Sequence, residues 1–224
     1  MSANMIQLLW VSTLQTLYMV GVAALVGTLI GGPLGIFLAT SRRGELLSAP
    51  NTNRVLGLVV NIARSVPFII LVVSIIPFTR WLVGTSIGTT AAIVPLTIAA
   101  APFIARLVET SIREVDSGLI EAARAMGATP FQIVRKVLVP EAMPGIVLGL
   151  TLAVVSLIGY SAMVGAVGGK GLGDLGIRYG YQRFMPDVML IVVVIMVVLV
   201  QFVQSLGEWI AARFDKRAPR NRGR

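Results

Sequence analysis

The chain has 224 residues, 56% of them hydrophobic and 13% charged, and its mean hydropathy is +0.86; that balance excludes an ordinary soluble domain. With no cysteine and no histidine, it has no disulfides, no thiolate or imidazole metal sites and no Ser-His-Asp triad. The net charge of +9 is unevenly spread, with six of the 19 Lys and Arg at positions 213–224, which suits membrane orientation and anionic headgroups better than nucleic acid.

Residues 1–41 contain no Lys, Arg, Asp or Glu, so the basic start of a secretory signal is missing. The first apolar block, 5–40, exceeds the roughly 20 residues that cross a hydrocarbon core. Its early part is expected along the membrane interface, with Trp10 and Tyr18 as anchors. Gly27, Gly31 and Gly35 repeat every four residues, a pattern that permits close helix packing and is also simply frequent in membrane helices. A polar loop, 42–54, ends this block. The second block, 55–78, carries Arg64 followed by Ser65-Val66-Pro67. Arg64 has two readings. It lines a pathway or touches a neighbouring subunit, or it is a cytoplasmic-end arginine reaching the headgroups, which the sequence favours.

Residues 79–86 read as a short loop. The third block, 87–107, contains Pro95 and Pro102, as kinked spans around a cavity do, and Arg106 and Glu109 stand three apart at its exit. The fourth span is expected at 146–164 and the fifth at 188–210, separated by a glycine-rich loop at 165–187. The expected organisation is one transmembrane unit over 1–212 and a basic cytoplasmic tail over 213–224.

Between the third and fourth blocks lies a charged interval, 116–145, that reads as a hairpin of two short helices. Asp116 or Ser117 supplies an N-cap and Gly127 a C-terminal stop. Thr129, Pro130 and Gln132 form a second start with a capping box. Phe131, Val134 and Leu138 recur along one side, and Pro140 and Pro144 punctuate the exit.

Five spans put the termini on opposite sides. With the C-terminus inside, 13 cations face the cytoplasm and four (Arg80, Lys170, Arg178, Arg183) face out, while Arg64 and Arg106 lie in spans. The positive-inside rule therefore selects N-out, C-in and places the hairpin in the cytoplasm.

Glu121-Ala122-Ala123, then Gly127, then Val137-Leu138-Val139-Pro140 resembles the EAA motif of ABC importer permeases, with valine at two positions where isoleucine and leucine are usual. Further segments, including Arg64-Ser-Val-Pro-Phe-Ile, Ala101-Pro-Phe-Ile-Ala-Arg and Gly159-Tyr-Ser-Ala-Met, resemble the permeases of methionine-uptake ABC importers over most of the chain. The resemblance implies an all-α, type I importer permease with five transmembrane helices per subunit. It implies a homodimer, two copies of a separate ATPase that binds ATP and Mg, and an extracytoplasmic methionine-binding protein. It assigns Glu121, Ala122, Ala123, Gly127, Thr129, Pro130 and Pro140 to ATPase coupling. No nucleotide-binding loop and no cofactor site stand in this chain, so the energy comes from the partner.

Tyr160, Ser161 and Met163 sit toward the outer end of the fourth span and read as path or gate residues. Tyr160 and Met163 are three apart and share a helical face; flexible, polarizable methionine suits a constriction, although core packing explains a membrane methionine equally well. The nearest alternative is an ABC permease for a polar amino acid. A secondary transporter lacks its mid-span carboxylates and internal repeats here, an intramembrane protease lacks its dyad, and a channel leaves the hairpin unexplained.

Overall fold

Residues 3–215 are described by a computed structural model, and among them there are helices and turns but no strand. Helix α1 (Ala3–Thr40) is one continuous rod in spite of Pro33. At about 1.5 Å per residue it runs for almost 60 Å, about twice a hydrocarbon core. The early part expected along the interface does not form a separate segment, because α1 runs on from Ala3 to Thr40 and Pro33 costs it only one backbone hydrogen bond.

Helix α5 (Thr89–Arg113) is the centre of the subunit. Its most apolar window is 61% buried, against 11% for the peripheral α10 (Pro186–Phe214). The contact between α1 and α5 is built from small residues. A Cβ on Gly27 would lie 2.8 Å from the Ala100 Cβ, and one on Gly31 or Gly35 would strike the Ala101 or Ala105 carbonyl. The small-residue spacing therefore serves packing.

Residue 27 lies beside 100 and residue 35 beside 105 and 108, so α1 and α5 run in the same direction. The segment between them must carry the chain back across the molecule. It does so in pieces: α2 (Pro50–Ser65), α3 (Phe68–Ser74) and α4 (Ile76–Val83). The axis turns by 98° between α2 and α3. Val66 is extended (φ −80°, ψ 123°) ahead of Pro67, which disfavours the helical conformation in the residue before it and cannot donate its own hydrogen bond. The single span expected over 55–78 is thus a broken one, and the loop expected at 79–86 is mostly α4.

Helix α8 (Val139–Ala166) returns antiparallel to α5, with Gly145 against Ser111 and Gly149 against Leu107. The glycine-rich interval is more ordered than its composition suggested. It folds into α9 (Gly171–Leu175) and a π-helical segment (Gly176–Tyr181). Leu172 and Leu175 are buried. The Thr16 hydroxyl accepts from the Leu172 N–H at 2.9 Å and the Gln15 side-chain oxygen from the Gly171 N–H at 3.2 Å. Polar residues of α1 thus satisfy backbone groups that a buried segment would leave unpaired.

Among the described residues, four helices are long and apolar enough to cross a membrane, and the bent α2–α3 pair makes five spans. The tail expected at 213–224 lies outside the described residues from 216 onward.

Candidate functional site

The charged interval folds as its residues direct. The Asp116 carboxylate accepts from the Gly118 N–H at 2.7 Å and starts α6 (Ser117–Ala125). Gly127 ends it in the left-handed region, φ +79°. The Ala128 N–H donates to the Ala123 carbonyl at 3.1 Å and the Gly127 N–H to Arg124 at 2.9 Å, the paired bonds of a Schellman stop. Nothing lies within 4 Å of a Cβ placed on Gly127, so the requirement for glycine is conformational and not steric. Two residues later Thr129 and Gln132 form a reciprocal capping box, with Pro130 at the first helical position of α7 (Pro130–Ile133).

The exit differs from expectation. Pro140 and Pro144 do not end the second helix. Helix α7 continues through a π-helical turn, Val134–Leu138, into α8, so that 130–166 is one rod of 37 residues. The Val139 N–H reaches back five residues to the Val134 carbonyl. This wide turn directly precedes Pro140, whose ring would press on the Lys136 carbonyl in a regular helix. Pro144 lies within α8 itself.

Along the hairpin, Ala123, Ile133, Val134 and Leu138 are buried and seat it on the bundle. Glu121, Ala122, Gly127, Thr129 and Pro130 are exposed, and Pro140 is half-buried. Phe131, expected beside Val134 and Leu138, instead projects outward at 68% exposure. Met126, missed in the sequence, projects at 81% on the other side of the Gly127 corner. Two large apolar side chains exposed on the hairpin that also exposes Glu121 are a surface suited to a protein partner. Met126 was visible as the residue before a helix-stopping glycine, a position that leaves the body of the hairpin.

The same end of the subunit holds a buried ion cluster. Glu109 is 2% exposed. It pairs with Arg106, with Arg113 at 2.8 Å and with Arg42 at 3.4 Å. Arg106 also donates to the Asn61 side-chain oxygen at 2.6 Å. The cluster ties the ends of α1, α2 and α5 together. The Arg106–Glu109 pair was legible from its spacing, whereas Arg42 joins only through the fold.

The outer half of α8 separates the three expected path residues. The Tyr160 ring stacks on Phe68 of α3, centroids 4.4 Å apart and planes 11° from parallel. Met163 is 46% exposed on the subunit surface, outside the core of the subunit. Ser161 is 1% exposed, and its hydroxyl donates to the Ile158 carbonyl at 2.7 Å. Arg64, at the last turn of α2, holds its guanidinium 5.8 Å from the Phe103 ring centre, facing a cavity beside the Phe68–Tyr160 stack. It is exposed and stands one turn beyond Asn61, the residue that accepts from Arg106.

Residues 7–218 match the family described as the inner membrane component of binding-protein-dependent transport systems. The chain belongs to that family. It is a multi-pass inner-membrane permease subunit with the type I importer fold. Such permeases do not themselves hydrolyse ATP. Among similar proteins, the probable D-methionine transport system permease protein MetI of Vibrio cholerae is 56% identical over 210 residues, 94% of this chain and 93% of that one. The D-methionine transport system permease protein MetI of Escherichia coli K12 is 54% identical over 165 residues, 74% of this chain and 76% of that one. A chain of the MetNI methionine ABC transporter, solved in inward-facing conformations, superposes with a TM-score of 0.93 at 51% identity, over 96% of this permease and 99% of that chain. An amino acid ABC transporter crystallised with histidines, 22% identical with a TM-score of 0.77, shares the fold.

Proposed function

We propose that this permease imports methionine as a homodimer in the bilayer, with two ATPase subunits that bind ATP and Mg and an extracytoplasmic methionine-binding protein. Residues 1–212 act as one transmembrane unit, N-terminus out and C-terminus in. The high identity to methionine permeases over almost the whole chain supports the substrate. A polar amino acid is the alternative substrate.

The observation that carries the mechanism is the unbroken rod from Pro130 to Ala166. Its first turn is the exposed second helix of the hairpin, and its last turns reach the far end of the subunit. Force applied by an ATPase to a capped, stiff end is delivered along the rod without being absorbed at a hinge. Glu121, Ala122 and Ala123 with Gly127 form the first half of the coupling element; Thr129 and Pro130 stiffen the second, and Pro140 marks the π turn where it enters the span. ATP-driven closure of the ATPase pair moves both hairpins and shifts the permease between two packings of similar free energy. Tyr160 and Met163 contribute to the path, with the exposed Met163 of each protomer meeting its copy near the two-fold axis.

The test is reconstitution of permease, ATPase and binding protein in proteoliposomes. Methionine uptake is expected only with ATP and binding protein together. Uptake without ATP, or of a polar amino acid in preference to methionine, overturns the reading. Reporters fused after Arg213 and at Gly169 are expected on opposite sides, inside and outside.

A further inference from the structure

Three arginines share one carboxylate where α1, α2 and α5 meet. Glu109 holds Arg42 and Arg113 on Oε1 and Arg106 on Oε2, so the cluster carries an excess of positive charge. It opens on a cavity of about 390 Å³. Arg42, Arg54, Arg106, Asn53 and Asn61 form the polar lining, and Glu109 is the one acid in it. Glu45, the other carboxylate that acts on Arg113, is exposed and outside the lining. Arg54 makes no ion pair among the described residues. Arg42 makes the longest contact of the cluster, 3.4 Å, and its side chain is half exposed. Glu109 itself is buried behind three guanidinium groups, so it presents little negative charge to the cavity.

Arg42 follows the end of α1 and Arg54 lies in the first turns of α2, where the chain leaves the bilayer and re-enters it. That is the depth of phospholipid headgroups. An apolar stripe continues from the cavity along α2. Val55, Leu58, Val59 and Ile62 are each more than half exposed. Their spacing places them on one face of the helix. Leu58 belongs to the stripe and to the cavity lining alike. A phosphate that carries acyl chains matches both parts. A soluble anion would use only the cavity.

We propose that this cavity binds the phosphate of one anionic phospholipid of the cytoplasmic leaflet, with Arg42 and Arg54 as its ligands and the acyl chains laid along Val55, Leu58, Val59 and Ile62. A guanidinium fork meets phosphate oxygens with two parallel hydrogen bonds, and basic pockets between spanning helices on the cytoplasmic side suit such headgroups. The lipid bridges the end of α1 to the start of α2. The chain closes that junction through Asn53, which donates to the Leu38 carbonyl at 2.8 Å and to the Ser41 hydroxyl at 2.9 Å. Within the subunit α2 buries only Val60, so the lipid supplies packing that the helix otherwise lacks. The leaflet follows from the orientation proposed above.

The test uses the permease with its ATPase in phosphatidylcholine bilayers. Phosphatidylglycerol with a diazirine on one acyl chain is added at rising mole fraction. Photolysis of the wild type is expected to label peptides containing Leu58, Val59 or Ile62. Unlabelled phosphatidylglycerol is expected to suppress the label, and inorganic phosphate to do no more than chloride of equal ionic strength. R54Q leaves the Glu109 cluster whole. It is expected to raise the mole fraction for half-maximal label about five-fold, and R42Q with R54Q about twenty-five-fold. R54K, which keeps the charge but not the fork, is expected to fall between R54Q and wild type. R43Q, in the same loop but outside the cavity, is expected to stay within about two-fold of wild type. Label on R54Q within about two-fold of wild type overturns the site. So does an equal loss in R43Q and R54Q, which marks general surface charge. Suppression by inorganic phosphate makes the cavity a soluble-anion site, and absence of label from α2 shows that the partner protomer covers the stripe; either result overturns the lipid. Transport is not part of the readout, so the result stands whatever substrate the permease carries.

Discussion

The hairpin at 116–138 and the bent segment at 50–83 both turn the chain with the help of proline, yet they hold their turns by different means. In the hairpin each turn is closed by bonds between residues at most five apart: Asp116 to Gly118, Ala123 to Ala128, Thr129 to Gln132. In the bent segment the holding contacts reach across the chain. Phe68 stacks on Tyr160, Arg64 lies over Phe103, and Asn61 accepts from Arg106. A locally closed element keeps its shape while the bundle around it rearranges, which a coupling device requires. An element held by distant helices changes shape with them, which a substrate path requires.

The largest effect that separates the two regions is expected from Glu109→Ala. It leaves Arg42, Arg106 and Arg113 without their buried carboxylate; these arginines are 28–51% exposed, so solvent screening brings the cost below the roughly 3–5 kcal/mol of a fully buried pair. A thermal-shift measurement on the detergent-solubilised permease should show a marked loss of stability, with the hairpin's own local bonds untouched. A melting temperature equal to wild type would mean that the cluster does not hold α1, α2 and α5 together.

Gly127→Val comes next. The left-handed conformation costs a non-glycine residue roughly 1–2 kcal/mol, more for a β-branched one, and no clash is added to that. The protein should still insert, while ATPase co-purification and uptake fall. Gly127→Asn, which tolerates φ above zero, should restore much of both. Failure of asparagine to do better than valine would show that the side chain at 127 obstructs the partner directly. Glu121→Lys tests the same surface without altering the backbone, and normal ATPase association and uptake in that variant would reduce the hairpin to a loop.

Thr129→Ala removes one side of the capping box, worth about 1 kcal/mol. Here the stability change is small and local. The informative quantity is coupling, measured as methionine imported per ATP hydrolysed, which should drop as the end of the rod frays. An unchanged ratio would mean that stiffness of α7 is irrelevant.

The smallest perturbation is Met163→Cys, an exposed position in a chain that has no cysteine of its own. Under oxidation it should form a disulfide between protomers in the nucleotide-free transporter and form it less readily with ATP trapped. No crosslink in either state removes Met163 from the two-fold axis and from the gate.

What the sequence determined by itself is what depends on near neighbours along the chain. Asp116, Gly127, Thr129, Pro130 and Gln132 dictate the caps because each acts within one helical turn. The long apolar blocks dictate spanning helices because burial in lipid needs no tertiary partner, and glycines four apart dictate a close contact without saying with which helix. The fold alone decided which helix that is: α5, whose alanines meet α1. It also decided that Pro67 breaks a span while Pro33, Pro140 and Pro144 do not. A proline only removes a bond and restricts its neighbour; whether the chain bends there depends on what packs around it. Beside Pro67 the bend brings Phe68 onto Tyr160, and beside Pro140 the π turn absorbs the misfit. The placing of Arg64 beside an aromatic cavity belongs to the same class, since its neighbours Phe103 and Tyr160 lie dozens of residues away and come together only when α2, α5 and α8 pack.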